Sequence, residues 1–273
     1  MQEDKGGVPT SGRRPEGTLE LVSDSAVVLV KAAPRRSLTF GETVCCAGLD
    51  MEGRWVRLYP VSFRQLEDAQ RFKRWDIIKY RWSRPKASKD RREESRRVDP
   101  QSVDIQKSLR SSERNPLVNR STVTSLKREG EEGRSLALLK CEVLDFWADR
   151  RTDDDLRKSE EALSALRSQR DMFLPPALIP MRTCPYSFHY RYRDDDGEHV
   201  GTCQDWETEQ TFFARLRDQA NEAAALDWML TKFGQEYPQK GMALAMGTHR
   251  YRLDQWLING VVRVDPEPQL SLI

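Results

Sequence analysis

Residues 184–213, CPYSFHYRYRDDDGEHVGTCQDWETEQTFF, carry the reading that decides the fold. The stretch opens with a period of two. Tyr186, Phe188, Tyr190 and Tyr192 fall on one face of a strand, and Ser187, His189, Arg191 and Arg193 on the other. Asp194, Asp195, Asp196 and Gly197 then read as a tight turn, with glycine free to take positive φ. A short return strand covers 199–204. At Asp205 the spacing becomes helical, so one hairpin delivers its end into a helix predicted over 206–233, with Gly234 at its C′ position. Further strands are predicted at 242–246 and 256–264, the latter with a bulge or tight turn at Asn259 and Gly260. Residues 177–273 therefore read as ββαββ.

Working towards the N-terminus, the segment 148–176 reads as a helical connector. Asp153, Asp154 and Asp155 complement the dipole at the start of a helix over 152–170, and Pro175 and Pro176 end it. Upstream of it, 18–147 reads as an N-terminal α+β domain. Strands are predicted at 26–33 (AVVLVKAA), 42–49, 54–59 and 75–82, and Ser62 is placed to cap a helix over 63–72. Residues 83–134 begin with a mixed-charge run, read as a solvated loop, and no element is assigned within them. The segment 135–146 is strand-like and is expected to close the first sheet. Residues 1–17 read as a disordered arm. The predicted class is α+β: two mainly antiparallel sheet-plus-helix halves, a compact β-barrel being the candidate form of the first, joined by the helical connector.

Composition narrows the functional classes. The 273 residues carry 45 Lys and Arg against 43 Asp and Glu, a formal +2, so any polyanion signal must be local. No apolar run reaches the roughly 18–20 residues of a membrane helix, and no membrane partner is expected. The N-terminal residues lack the apolar core of a secretory signal. Five cysteines at irregular spacing give no disulfide framework, and a cytoplasmic location is expected.

The strongest local signal is a block of basic residues interleaved with aromatics across 54–86. Guanidinium and ammonium groups hold phosphates, and flat rings stack on unpaired bases. The candidate nucleic-acid contacts are Arg54, Arg57, Lys79, Arg81, Arg84, Trp82, Arg191, Arg193 and Arg250, with His249 and Arg252 beside the last. Trp55, Trp75 and Tyr80 are further stacking candidates wherever they are exposed; the competing account of all these rings is core packing. A β-barrel of the kind that binds modified bases or RNA offers an analogy for the first half.

Two other constellations contain residues suited to chemistry. Asp205 and Glu207, with His199, are the candidate catalytic residues of a metal-dependent enzyme acting on a phosphodiester or nucleotide. Asp205 as a helix N-cap, with Glu207 and Glu209 in the first turn, is the structural alternative. Cys184, His189, His199 and Cys203 are the residue types of a zinc site, but their spacing matches no standard pattern and strand parity sends Cys184 and His189 to opposite faces. No metal and no cofactor is expected, save a divalent ion if the enzyme reading holds. The functional expectation is thus an intracellular accessory protein that binds DNA or RNA in a sequence-tolerant or structure-selective way. A metal-dependent enzyme and a protein–protein interaction subunit are the alternatives.

Overall fold

A computed structural model describes residues 21–32, 35–37, 41–61, 66, 70–86, 90–168, 183–249 and 251–263. The predicted arm at 1–17, most of the predicted helix at 63–72, and Pro175 and Pro176 lie outside the described residues. Within them the chain forms two sheet-rich halves of mixed α+β content, the first of them a closed five-stranded barrel.

The barrel is built from β1 (Val22–Lys31), β3 (Gly41–Asp50), β4 (Trp55–Val61), β5 (Asp76–Ser83) and β6 (Ser95–Val98), with β2 (Arg35–Ser37) added to the edge of β3. Around the ring β1 pairs with β3, β3 with β4, β4 with β6, β6 with β5, and β5 with β1 again. Every pairing is antiparallel except the parallel β4–β6 contact. Numbered by order within the barrel, the ring runs first, second, third, fifth, fourth and back to first. That is the connectivity of an OB-type Greek-key barrel. A 3₁₀ turn at Pro100–Ser102 then leads into β7 (Asp104–Ser108), which continues the edge of β5. The mixed-charge run that opens 83–134, expected to be a solvated loop, therefore holds β6, and the remainder, to which no element was assigned, holds β7, then α1 (Ser111–Ser121), β8 (Thr122–Val123) and α2 (Leu126–Glu131). The strands among these are short and charged, and only Ser95 and Val98 of β6 point inward, which is why alternation does not reveal them.

Alternation along the barrel strands separates two cores. Ala26, Val28, Cys46, Val56, Leu58, Ile78 and Tyr80 fill the interior of the barrel. Val27, Leu29, Ala47, Leu49 and Ile77 point outward instead, and with Trp75 they form a second apolar layer. Gly48 lets β3 come close to β1: a Cβ there would stand 2.1 Å from the carbonyl oxygen of Val27, a backbone atom that cannot swing away. Gly48→Ala is therefore expected to lose about 3 kcal/mol of stability, visible as a lower urea midpoint. An unchanged midpoint would show that β1 and β3 are looser than this.

The outward layer is covered by the second half. Its sheet runs β10 (Glu142–Arg150), β11 (Tyr186–Asp194), β12 (Gly197–Cys203), β14 (Arg252–Arg263), β13 (Met242–His249), β9 (Leu136–Leu139), β8. One face presents Leu136, Leu138, Ala243, Ala245 and Val262 to the barrel. The other presents Ala137, Leu139, Leu244, Met246 and Ile258 to the helices α4 (Trp206–Gln219) and α5 (Glu222–Thr231). The molecule is thus three layers, barrel, sheet and helices, and the apolar pattern of every strand of the middle sheet is two-sided where it is covered on both faces.

Several expectations shift accordingly. Segment 135–146 was expected to close the first sheet, but its strands β9 and β10 join the second, because their apolar faces match β13 and β11. The helix α3 (Asp153–Ser168) forms where predicted, between β10 and β11. Both of those strands belong to the second sheet, so the chain crosses between the halves earlier, through α1 and β8. The long helix predicted over 206–233 is broken. Ala220 takes a left-handed conformation (φ 49°), Asn221 caps α5, and a π-helical turn at Lys232–Glu236 leads into α6 (Tyr237–Lys240). Gly234 lies inside that turn rather than at a C′ position, pressed against Phe146. The expected bulge in β14 is present: Ala245 pairs with Gly260 and Met246 with Ile258, leaving Asn259 unmatched.

Candidate nucleic-acid interface

The hairpin of β11 and β12 resolves its own ambiguity. Tyr186, Phe188, Tyr190 and Tyr192 are buried, packed on Phe146 and Phe212. The opposite face was expected to be basic, but it is a ladder of neutralised charges. Arg191 pairs with Asp145 at 3.8 Å, Arg193 with Glu142 at 2.8 Å and with Glu198, and His189 lies 3.5 Å from Asp149 and stacks on Trp147. The acids come from the neighbouring strands β10 and β12, which sequence alternation within β11 cannot report. This ladder also sits at the far edge of the second sheet from β13, so Arg191 and Arg193 do not extend any groove of the barrel.

Asp205 and Glu207 are tied to the barrel. Asp205 is 2 % exposed and caps α4 through the amide of Glu207. Its carboxylate also accepts from Arg74 Nη2 at 3.1 Å, from the Val261 amide at 3.1 Å and from Thr208 Oγ1 at 3.3 Å. Glu207 binds Arg74 Nη2 at 3.0 Å and Lys31 at 3.2 Å. Burial pushes the Asp205 carboxyl up, and the Arg74 guanidinium opposes that shift. The catalytic assignment thus meets a carboxylate whose oxygens are already occupied by cap, amide and cation, an arrangement suited to holding two layers together rather than to binding an ion. His199 bonds Asp194 at 2.9 Å near the turn of the hairpin, about 20 Å of strand away from Asp205, and joins neither acid. Cys184 and Cys203 are buried, and burial pushes each thiol up to about 12, the opposite of what a reactive or ligating thiolate requires. Among the described residues no cluster of three or more metal-type ligands occurs.

The basic–aromatic block is dispersed around the barrel. Arg54 pairs with Asp50 at 2.8 Å and Glu52 at 2.9 Å, and Arg81 with Asp99 at 2.9 Å. Trp82 is half-buried beneath the Arg96 guanidinium, 4.1 Å from its ring centre, while Trp75 and Tyr80 are core and Trp55 is partly buried against it. Arg57 is buried, contrary to its expected surface role. Its strand face is the one covered by the second half, and its Nη2 donates to the carbonyl of Ser135 at 3.0 Å. The outer face of the second and third barrel strands, the usual ligand face of an OB-type barrel, is here a domain seam.

A further set of exposed groups lies on the β5–β6 connection and the β13–β14 hairpin. The connection from β5 to β6 carries Arg84, Lys86 and Arg91, all exposed, and among the described residues none of them has an acidic partner. Arg92 ties this connection to the β13–β14 hairpin, donating Nη1 to the carbonyl of Thr248 at 3.1 Å while gripping Asp90 through two hydrogen bonds of 2.9 and 2.7 Å. At the hairpin tip Tyr251 is 77 % exposed, flanked by exposed Arg252 and half-buried His249. Arg250 lies outside the described residues. Lys79 is exposed on β5, aligned with Asp104 of β7. The sequence reading named Arg84, His249, Arg250 and Arg252 but missed Tyr251, Arg91 and Arg92; the motif HRYR at a strand junction is the signal that points to the ring.

The Asp90–Arg92 pair gives this junction a pH dependence. Burial acts to raise the Asp90 carboxyl, but hydrogen bonds from Arg92 and the Ser95 hydroxyl hold it down to about 2. A carboxyl depressed in the folded state stabilises above its unfolded value of about 4 and loses that contribution as pH falls towards 2. The stability gap between the wild type and Asp90→Asn should therefore be full at pH 6 and close between about pH 4 and 2. Thermal unfolding midpoints across that range test it, and a gap independent of pH would refute the assignment.

Comparison with known families divides the chain where the structure does. Residues 23–123 match a family described as a domain of unknown function (DUF8758), and residues 119–273 match another, described as a domain of unknown function (DUF8757). The first match spans the barrel and α1, the second the middle sheet and its helices, and they meet at β8, where the chain passes from one sheet to the other. No curated protein matches the chain. Among the described residues no helix is long and apolar enough to cross a membrane. The second match covers more than half of the 273 residues, and the chain belongs to the DUF8757 family.

Proposed function

We propose that this protein binds nucleic acid on a composite surface formed by the β5–β6 connection and the β13–β14 hairpin. The observation that carries the reading is the Arg92–Thr248 contact. It ties the β5–β6 connection, whose exposed cations Arg84, Lys86 and Arg91 have no acidic partner among the described residues, to the β13–β14 hairpin, which carries an exposed ring, Tyr251, and Arg252. Cations without internal partners are the ones available to phosphates, and an exposed tyrosine offers a stacking platform for an unpaired base. The barrel connectivity adds an analogy at fold level, since OB-type barrels use the loop between their fourth and fifth strands, here β5 and β6, in ligand binding. The ion-paired arginines Arg54, Arg81, Arg191 and Arg193 are assigned no part in it.

Binding titrations with labelled single- and double-stranded DNA and RNA at several salt concentrations test the proposal. Affinity is expected to fall with salt, each neutralised phosphate adding about 0.7–0.9 to the log–log slope. Absence of binding to all four at low salt would refute it.

A further inference from the structure

Beneath that surface the seam contains a buried cation that makes no direct ion pair among the described residues. Arg57 is 8 % exposed, yet among the described residues no carboxylate pairs with it. The acids nearby are engaged elsewhere: Asp90 holds Arg92, and Glu94 accepts from the Ser135 amide at 2.7 Å and the Ser135 hydroxyl at 3.2 Å. Arg57 spends Nη2 on the carbonyl and hydroxyl of Ser135 and leaves Nε buried with no partner among the described residues. The same Ser135 carbonyl accepts from the Thr248 amide at 2.9 Å, so Thr248 lies against the same point of the seam. Its hydroxyl is also buried and without a partner among the described residues. Between them Gly247 leaves the backbone bare. A Cβ there would stand 2.4 Å from Asn259 Nδ2, 3.1 Å from Leu136 Cδ2 and 3.5 Å from Arg57 Nη2, so the Asn259 amide packs directly on the glycine, with the Arg57 guanidinium beside it. An unpaired buried guanidinium is destabilising unless an anion completes it, which makes it a candidate for a functional site.

We infer that Arg57, Thr248 and Asn259 form a recognition site for a phosphate group, and that the group is the terminal phosphate of the strand held on the surface outside. The inference rests on the proposed nucleic-acid reading for the source of the phosphate, but not for the site itself. Guanidinium, hydroxyl and amide together offer the charge and the separate donors that a phosphate dianion takes up.

The test compares a 5′-phosphorylated oligonucleotide with its 5′-hydroxyl counterpart, and follows thermal unfolding with and without inorganic phosphate. The wild type is expected to prefer the phosphorylated strand by about ten- to hundredfold and to gain thermal stability from phosphate. Arg57→Met should abolish both effects while leaving the unliganded protein at least as stable as the wild type, since it removes an uncompensated buried charge. Thr248→Val, which deletes the hydroxyl without changing shape, should weaken the preference and serves if Arg57→Met does not fold. Equal affinity of the wild type for the two strands with no phosphate effect would overturn the site, as would a preference that survives in both variants. Strand binding that persists without any phosphate preference refutes this inference alone. Stabilisation by inorganic phosphate that is lost in Arg57→Met, with no strand binding at all, upholds the anion site and refutes the surface reading.

Discussion

Asp205→Ala is expected to lower folding stability by about 3–5 kcal/mol, with no loss of strand binding beyond what unfolding explains. The carboxylate serves four groups at once: the α4 amide of Glu207, the Val261 amide of β14, the Thr208 hydroxyl and the Arg74 guanidinium. Removing it strands an almost fully buried arginine, whose remaining acid, Glu207, is half-exposed, and leaves the Val261 amide without its acceptor. Breaking a buried pair by deleting one partner is more costly than deleting both, so Arg74→Met combined with Asp205→Asn should recover part of the loss. Asp205→Asn alone keeps a cap acceptor and should fall between the wild type and alanine. Urea unfolding followed by tryptophan fluorescence gives the three values. The catalytic account of Asp205 requires the reverse pattern. Asp205→Asn would then unfold like the wild type while a metal-dependent turnover disappeared, and that result would defeat the structural role assigned here.

The latch explains why Asp205 and Glu207 drew attention in the sequence. Two acids at a strand-to-helix junction are what both a cap and a metal site look like, and nothing local separates them. The deciding partner, Arg74, is 131 residues away in the chain. The same limit accounts for the arginines of β11. Alternation put Arg191 and Arg193 on one face correctly, while Glu142, Asp145 and Glu198, which neutralise them, belong to strands whose register the sequence does not state. Where a segment carries its own period, the reading was good: β1, β3, β4, β5, β11 and the bulge at Asn259 were all legible, as was the division into two sheet-bearing halves. Where charge dominates, as in β6 and β7, a strand is formed by pairing with its neighbour and leaves little apolar trace. Arg57 was misplaced for a related reason. An arginine beside Trp55 and Tyr59 reads as surface, and only the arrival of the second sheet over that barrel face buries it.

Replacing Arg84, Lys86, Arg91 and Arg252 together by alanine is expected to flatten the salt dependence of strand binding by about 0.7–0.9 for each phosphate left unneutralised, up to roughly 3.5 in the log–log slope. These four are exposed and have no acidic partner among the described residues, so their removal weakens the hold on the strand without breaking internal pairs, and the unfolding midpoint should hardly move. Tyr251→Ala tests the stacking element separately. At 77 % exposure its ring contributes little to the core, while a stacked base is worth about 1–3 kcal/mol. Single strands should therefore lose about 5- to 150-fold in affinity, and duplexes, whose bases are not free to stack, should lose far less. The control is the trio Arg54, Arg191 and Arg193. They are equally exposed in kind but already paired with acids, and removing a surface ion pair changes stability by about 0–1 kcal/mol and frees as much negative charge as it deletes positive. Their alanine variants should leave the slope unchanged within about 0.5. A slope that falls as much in this trio as in the loop-and-hairpin set would mean that binding follows overall charge, and the composite surface would lose its claim to be the site.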